Sequence, residues 1–259
     1  MLSFKKQGRA IARLVPIKKE KGKKYSKNKF LYLGKNGEDE VKAPPNYKFQ
    51  VVPNPNISEK VFIAGPSGSG KSYYAGKYIG EYKKIKKFKK DDVFIISNVD
   101  EDKALDEHKP KRIKLNSEVV QDPIHPSELE NALIVFDDAE RISNKLIRDA
   151  IHNLRSACLE ESRHYGSRLI VITHQAMQGA KTRGLITEAT SFTFFPKHSA
   201  IYFADRYMKV YIGLGKKTRN KILKLPSRWV TLYRGAGEFP AYCIYDKGAF
   251  IIQPDLNEM

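Results

Sequence analysis

The sequence is poor in cysteine and has no long apolar segment. Its 259 residues include two cysteines, Cys158 and Cys243, which lie in apolar patterns without the spacing of a metal site. This excludes a disulfide framework and predicts reduced, buried thiols in a cytosol-like compartment. No apolar run approaches the roughly 20 residues that span a bilayer. We therefore expect a soluble protein without membrane insertion.

Acidic residues are scarce relative to basic ones. The chain has 29 Asp and Glu against 47 Lys and Arg, which gives a net charge of +18 and a pI of about 9.7. The excess lies in three blocks, at residues 1–30, 83–90 and 206–234, and the last block mixes nine basic residues with aromatic ones. Solvated surface is the ordinary explanation of such blocks. Their segregation favours contact with a polyanion such as the phosphate backbone of DNA.

A glycine-rich loop follows four apolar residues at 61–64. Residues 65–72 match the pattern G-x-x-x-x-G-K-S, a phosphate-binding loop (Walker A) in which glycines let backbone N–H groups point at phosphate oxygens. Lys71 is expected to act in catalysis on the β- and γ-phosphates of ATP, and Ser72 to help hold Mg²⁺. The predicted nucleotide contacts come from Gly65, Pro66, Ser67, Gly68, Ser69, Gly70, Lys71, Ser72 and Tyr73.

A second apolar run, at residues 133–136, ends in acidic residues. It predicts a buried parallel strand with carboxylates at its carboxyl end, where ligands bind in open α/β sheets (Walker B). Asp137, 66 residues after Lys71, is expected to hold Mg²⁺, and Asp138 to polarise the water that attacks the γ-phosphate. Glu140 is an open alternative for orienting that water.

A helix and a third buried strand follow these carboxylates. Residues 143–165 have a helical apolar pattern with Ser143 as N-cap, and Gly166 ends the helix. The strand at 168–172 leads into Thr173, His174 and Gln175. We expect Gln175 to sense the γ-phosphate and to act in catalysis, whereas His174 is expected only to cap the strand end.

These motifs, in this order and spacing, resemble the HerA/FtsK superfamily of ring-shaped, DNA-translocating ATPases. The Asp137-Asp138 pair and the segment Arg163-His164-Tyr165-Gly166 before a T-H-Q strand look most like genome-packaging ATPases of large double-stranded DNA viruses. The resemblance implies ATP hydrolysis with Mg²⁺, double-stranded DNA as substrate, and a homo-oligomeric ring of five or six subunits. It also implies capsid, portal or membrane-vertex proteins as partners, and a location in the host cytoplasm or the virion.

The same resemblance implies a trans-acting arginine finger at Arg163, three residues before a glycine. Because Arg163 ends the helix that leads into the third strand, we expect it at the catalytic edge of the sheet. Arg168 is the alternative finger. A simpler role for Arg163 is to neutralise the negative end of the helix dipole.

The resulting fold prediction is an α/β P-loop NTPase of the RecA/FtsK-like, additional-strand type. An extra strand lies between the loop strand and the Asp137 strand of a mainly parallel sheet, which C-terminal antiparallel strands extend. The predicted parts are a basic, partly flexible arm (1–46) with a short amphipathic helix, an ATPase core (47–196), and a basic extension with a β-hairpin (197–259). Two alternative functions are a small-molecule or nucleotide kinase and a nucleotide-gated DNA-binding scaffold.

Overall fold

The computed structural model describes residues 1–17, 29–85, 92–174, 180–197, 201–235 and 240–253. Its strands are β1 (Leu2–Ser3), β2 (Arg9–Pro16), β3 (Phe30–Leu33), β4 (Glu40–Lys42), β5 (Tyr47–Val51), β6 (Lys60–Ala64), β7 (Val93–Ser97), β8 (Lys111–Ile113), β9 (Leu133–Asp137), β10 (Arg168–Thr173), β11 (Ser191–Phe194), β12 (Val230–Tyr233), β13 (Tyr242–Tyr245) and β14 (Gly248–Ile251). Its α-helices are α1 (Lys71–Tyr82), α2 (Lys103–Asp106), α3 (Glu118–Gln121), α4 (Lys145–Glu161), α5 (Ala180–Glu188), α6 (Ile201–Tyr211) and α7 (Lys216–Leu223). Short 3₁₀ helices occupy Pro126–Leu129 and Ala139–Arg141.

The chain forms two compact units, and Pro55–Phe192 is the unit that contains the glycine-rich loop. Five of its strands pair in parallel in the order β6-β10-β9-β7-β8. Strand β10 lies between the loop strand β6 and the Asp137 strand β9. The apolar side chains of these central strands are buried, which explains why their sequences are near-continuous apolar runs.

The second unit comprises Met1–Asn54 and Thr193–Met259. It contains an antiparallel sheet of order β1-β3-β2-β5, together with the antiparallel strands β12, β13, β14 and β4. Thus β12 and β13 form the predicted hairpin pairing, although residues 236–239 of its connection lie outside the described residues. The predicted fold class is confirmed: a mainly parallel sheet with an additional strand, plus antiparallel strands in the C-terminal segment.

The predicted amphipathic helix near the N-terminus is wrong, because β2 occupies this region. The pairing register of β2 with β3 shifts between Ala10 and Ala12, so Ile11 and Ala12 are both buried. Such a bulge breaks the alternation of period two that identifies a strand, and the remaining pattern mimics a helix. The predicted division at residues 46 and 196 stays a prediction. The N- and C-terminal segments, predicted as separate parts, belong to one unit.

Helix α4 is shorter than predicted. It begins at Lys145 and ends at Glu161, and its N-cap is Asn144 rather than Ser143. The Asn144 Oδ1 atom accepts hydrogen bonds from the backbone N–H groups of Leu146 and Ile147, at 2.9 and 3.3 Å. Amide and hydroxyl side chains cap helices about equally well, so the sequence does not decide between the two neighbours.

Among the described residues, no helix is long and apolar enough to cross a membrane.

Candidate active site

The glycine-rich loop joins β6 to α1 at the carboxyl edge of the parallel sheet. Gly68 and Gly70 have φ values of +74° and +106°, a backbone region that side chains with a Cβ disfavour. The Lys71 Nζ donates hydrogen bonds to the carbonyl oxygens of Gly65 and Pro66, at 2.9 and 3.2 Å. The lysine therefore folds back across its own loop, at the amino end of α1, where exposed N–H groups and the helix dipole attract anions.

Both predicted carboxylates lie in the same cleft as the loop. The cleft has a volume of about 310 Å³, and its lining includes Lys71, Ser72, Asp137 and Asp138. Burial, reinforced by the charge of Asp138, raises the pKa of Asp137 to about 6. Burial lowers the pKa of Lys71, although both aspartates oppose that change. The cleft is thus a partly dehydrated site in which basic and acidic side chains face each other.

His174 is brought directly against Asp138. Its Nε2 lies 2.6 Å from Oδ2 of Asp138, and since a carboxylate only accepts, the imidazole N–H is the donor. The other carboxylate oxygen, Oδ1, is buried and has no hydrogen-bond partner among the described residues. Asp138 has a positive φ of 49° and follows β9 directly, and its backbone N–H bonds to the Ile172 oxygen of β10 at 3.2 Å. The ends of two adjacent strands therefore hold this pair together.

Sequence reasoning assigned His174 only a capping role and did not include three other residues that lie near the carboxylates. Ser97, at the end of β7, donates from Oγ to Oδ2 of Asp137 at 3.3 Å. Asp102 and Arg141 also line the cleft. Ser97 and His174 could have been predicted to lie at this site from the sequence, because each ends or directly follows a buried strand of the parallel sheet.

The structure does not describe Gln175, which lies outside the described residues, nor the side chain of Glu140. Their predicted roles therefore stay predictions. Tyr73, predicted to contact the nucleotide, lines the cleft and is 51% exposed.

Arg163 does not lie at the catalytic edge of the sheet, so its predicted placement is wrong. It is exposed in the turn after α4, where the neighbouring Tyr165 oxygen accepts a hydrogen bond from the N–H of Asn131, just before β9. A helix that connects parallel strands begins at the carboxyl end of one strand and returns to the amino end of the next. Arg163 is therefore near the opposite edge from the loop of its own chain.

The alternative finger, Arg168, is buried inside its own unit. Its guanidinium donates to the carbonyl oxygens of Gly166 and Pro55, at 2.9 and 3.2 Å. Burial also lowers its pKa. Arg168 is thus engaged in its own chain, which leaves Arg163 as the exposed member of the two.

Two side chains of the third basic block form ion pairs with acidic residues of the same unit. In α7, Arg219 Nε pairs with Asp205 at 2.7 Å, and Lys221 Nζ pairs with Glu40 at 2.7 Å while lying over the ring of Phe250. Lys217 of the same helix is exposed. The prediction that this block contacts phosphates stays a prediction. Residues 86–90 of the second block lie outside the described residues.

The donor set of the cleft fits a magnesium–nucleotide complex. Mg²⁺ prefers oxygen ligands and keeps several waters, so a carboxylate and a hydroxyl beside a phosphate-binding loop suit it. Asp137 and Ser72 are those two groups, and both line the cleft. A bound cation would also remove the cost of keeping Asp137 ionised in a buried position.

No protein-family model matches the chain. It is 37% identical over 254 residues to the V3 protein of Sputnik virophage, and the match covers 96% of this chain and 99% of V3. The chain belongs to the V3 family. Proteins of that identity over that length share one fold, so this V3-family chain has a virophage counterpart over 96% of its length.

Solved structures similar to this V3-family chain include two P-loop proteins. The genome packaging NTPase B204 of Sulfolobus turreted icosahedral virus 2, in complex with AMP, has a TM-score of 0.41 and 19% identity, with 79% of this chain and 100% of B204 covered. The pCW3 conjugation coupling protein TcpA, with ATPγS, has a TM-score of 0.47 and 12% identity, with 93% of this chain and 77% of TcpA covered.

Proposed function

We propose that this V3-family protein is an ATPase that moves double-stranded DNA and packages a viral genome into a capsid. The observation that carries the proposal is one cleft in which Lys71, Asp137 and the Asp138–His174 pair meet at the carboxyl edge of a parallel sheet. The loop, the metal-type carboxylate and the polarising carboxylate are the parts that nucleotide hydrolysis requires. The motif resemblance to HerA/FtsK translocases and the net charge of +18 support DNA as the substrate moved.

In the proposed reaction, the loop N–H groups and Lys71 hold the phosphates of ATP. Mg²⁺, held through Asp137 and Ser72, would neutralise the charge on the β- and γ-phosphates. Asp138 accepts the proton of the attacking water, the water oxygen bonds to the γ-phosphorus, and the bond to the β,γ-bridging oxygen breaks. His174 donates to Oδ2 of Asp138 and holds the carboxylate in one orientation.

We further propose that the protein acts as a homo-oligomeric ring of five or six subunits, because one subunit of this size cannot enclose a duplex. In such a ring, Arg163 of one subunit would reach the ATP of its neighbour. The exposed position of Arg163 at the opposite edge from its own loop supports action on a neighbour's nucleotide rather than on its own. Capsid, portal or membrane-vertex proteins are the proposed docking partners.

The test is ATP turnover measured with and without linear duplex DNA. The proposal predicts hydrolysis that duplex DNA stimulates and that Lys71→Ala abolishes. ATP binding without turnover under either condition would instead indicate a nucleotide-gated scaffold. A phosphorylated small-molecule product, identified by mass spectrometry, would indicate a kinase.

A further inference from the structure

The four-stranded N-terminal sheet has one buried face and one partly open face. Its buried face consists of side chains such as Leu31, Leu33 and Phe49. The opposite face is given by the pairing register, because residues directly across two antiparallel strands share a face. Phe30 and Gln50 flank Arg13, and all three are only partly buried.

Two aromatic rings lie side by side on this open face. The rings of Phe30 and Tyr32, both on the central strand β3, have centroids 6.2 Å apart. The cross-strand neighbours of Tyr32 are the small residues Ser3 and Ala10, and Tyr32 itself is only partly buried. Aromatic side chains on an accessible sheet face are unusual, since apolar area is ordinarily buried.

Cationic side chains accompany these rings. The Arg13 guanidinium lies 4.6 Å from the centroid of the Phe30 ring, and Lys48 is paired across from Val15 on the same face. The strands β1, β2, β3 and β5 contain no acidic residue. Arg13 and Lys48 are on the open face, whereas Arg9 is paired across from the buried Leu33 and belongs to the other face. Lys5 and Lys6, in the segment after β1, are exposed. The charge of this face therefore suits a polyanion.

We propose that this open face, defined by Arg13, Phe30, Tyr32, Lys48 and Gln50, binds single-stranded nucleic acid. Rings on a flat sheet stack against bases whose faces are free, while Arg and Lys contact the phosphates between them. Bases inside a duplex are stacked on each other and cannot reach such rings. The inference goes beyond the proposed movement of duplex DNA, because it gives the protein a second site that engages unpaired nucleotides.

The test measures binding by the full chain without nucleotide, so that it does not depend on hydrolysis. Fluorescence anisotropy with a labelled oligothymidylate of about 16 nucleotides is compared with a duplex of equal length. Tyr32→Leu, which keeps an apolar side chain on the strand, should weaken single-strand binding roughly fivefold or more. Tyr32→Phe keeps the ring and should retain the affinity.

Charge variants test the same face without removing any ring. Arg13→Gln combined with Lys48→Gln should reduce the slope of log affinity against log salt by about 0.7 per phosphate contact. Lys42→Gln is the matched control, because Lys42 is exposed on β4 in the other sheet of this unit and should leave ring-dependent affinity unchanged.

The proposal is overturned if the wild-type protein does not bind the single strand, or if the folded Tyr32→Leu and Arg13→Gln/Lys48→Gln variants both bind the single strand like wild type. Circular dichroism and the Tm establish that the variants are folded. Turnover of ATP is recorded separately from binding. A Lys71→Ala protein that has lost turnover but still binds the single strand would show that the ATPase proposal and the single-strand proposal can fail independently of each other.

Discussion

The Nε2 atom of His174 lies 2.6 Å from Oδ2 of Asp138, so the residue after β10 holds the residue after β9. These two strands are neighbours, and their register pairs Ile172 with Asp137. The contact therefore follows from the insertion of an additional strand between the loop strand and the Asp137 strand. It also places the second carboxylate oxygen, Oδ1, in a buried position without a partner among the described residues.

The contact predicts that His174 is a positioning residue. His174→Ala should lower kcat for ATP roughly 10-fold to 100-fold with little change in KM, because the carboxylate loses its fixed orientation while the phosphate contacts remain. His174→Gln retains a donor near the same place and should recover part of the activity. An increase in KM with unchanged kcat would show that His174 contacts the nucleotide instead.

Lys71→Ala removes the cation that lies across the loop. Turnover should fall about 100-fold or more, because that charge stabilises the transferred phosphoryl group. Since the lysine's hydrogen bonds go to its own loop carbonyls, the variant should remain folded, as judged by circular dichroism. Lys103→Ala, at an exposed position on α2, is the matched control and should hydrolyse ATP at the wild-type rate. Near-normal turnover by the folded Lys71→Ala protein would mean that the site is misassigned.

The burial of Asp137 is expected to make the free energy of unfolding of the protein depend on pH. Its pKa is about 6 in the folded protein, against 3.8 for an aspartate in water, so folding disfavours the ionised form. Without divalent cations, Asp137→Asn should raise the free energy of unfolding by up to about 3 kcal/mol above pH 7. The gain should shrink as the pH falls through 6 and vanish below about pH 4, where the carboxyl is protonated in both states.

Urea unfolding in EDTA at pH 8 and pH 4 measures this difference. Asparagine can still accept the hydrogen bond from Ser97, so the comparison isolates the charge. A gain of equal size at both pH values would mean that the buried charge is not its cause.

Arg163 is predicted to act on the nucleotide of a neighbouring subunit. Arg163→Ala should bind ATP normally and lose at least about 1000-fold in turnover, because a finger contributes only in the transition state. Mixing it with Lys71→Ala subunits creates interfaces with an intact loop on one side and an intact arginine on the other. Partial recovery of turnover is expected. Absence of recovery, once subunit exchange is demonstrated by labelled subunits, contradicts action in trans.

The nucleotide-binding half of the fold was predictable because each central strand is a short apolar run with a functional group at its end. Asp137 and Lys71 could be placed in one site from that rule alone. The strand pairing of the N-terminal sheet could not be predicted, because the bulge between Ala10 and Ala12 hides the period of β2. The predicted position of Arg163 was wrong because Arg163 comes before β10 in the sequence. A residue that precedes a strand lies near the amino end of that strand, whereas the catalytic edge is at the carboxyl end.

The partnership of His174 with Asp138 depends on strand order, which sequence periodicity does not encode. The residues were 36 positions apart, and each alone had an ordinary explanation. His174 and Asp138 meet only because β10 pairs directly with β9. The pair can therefore be predicted only when the order of the strands in the sheet is known.

The most direct test of the central claim is displacement of a labelled third strand from a triplex by protein moving along the duplex. With ATP and Mg²⁺, the wild-type protein should release the strand at a rate that rises with ATP concentration. A non-hydrolysable ATP analogue or the Lys71→Ala variant should release none above background. ATP hydrolysis that duplex DNA stimulates but that never displaces the third strand would contradict the claim that this protein moves DNA.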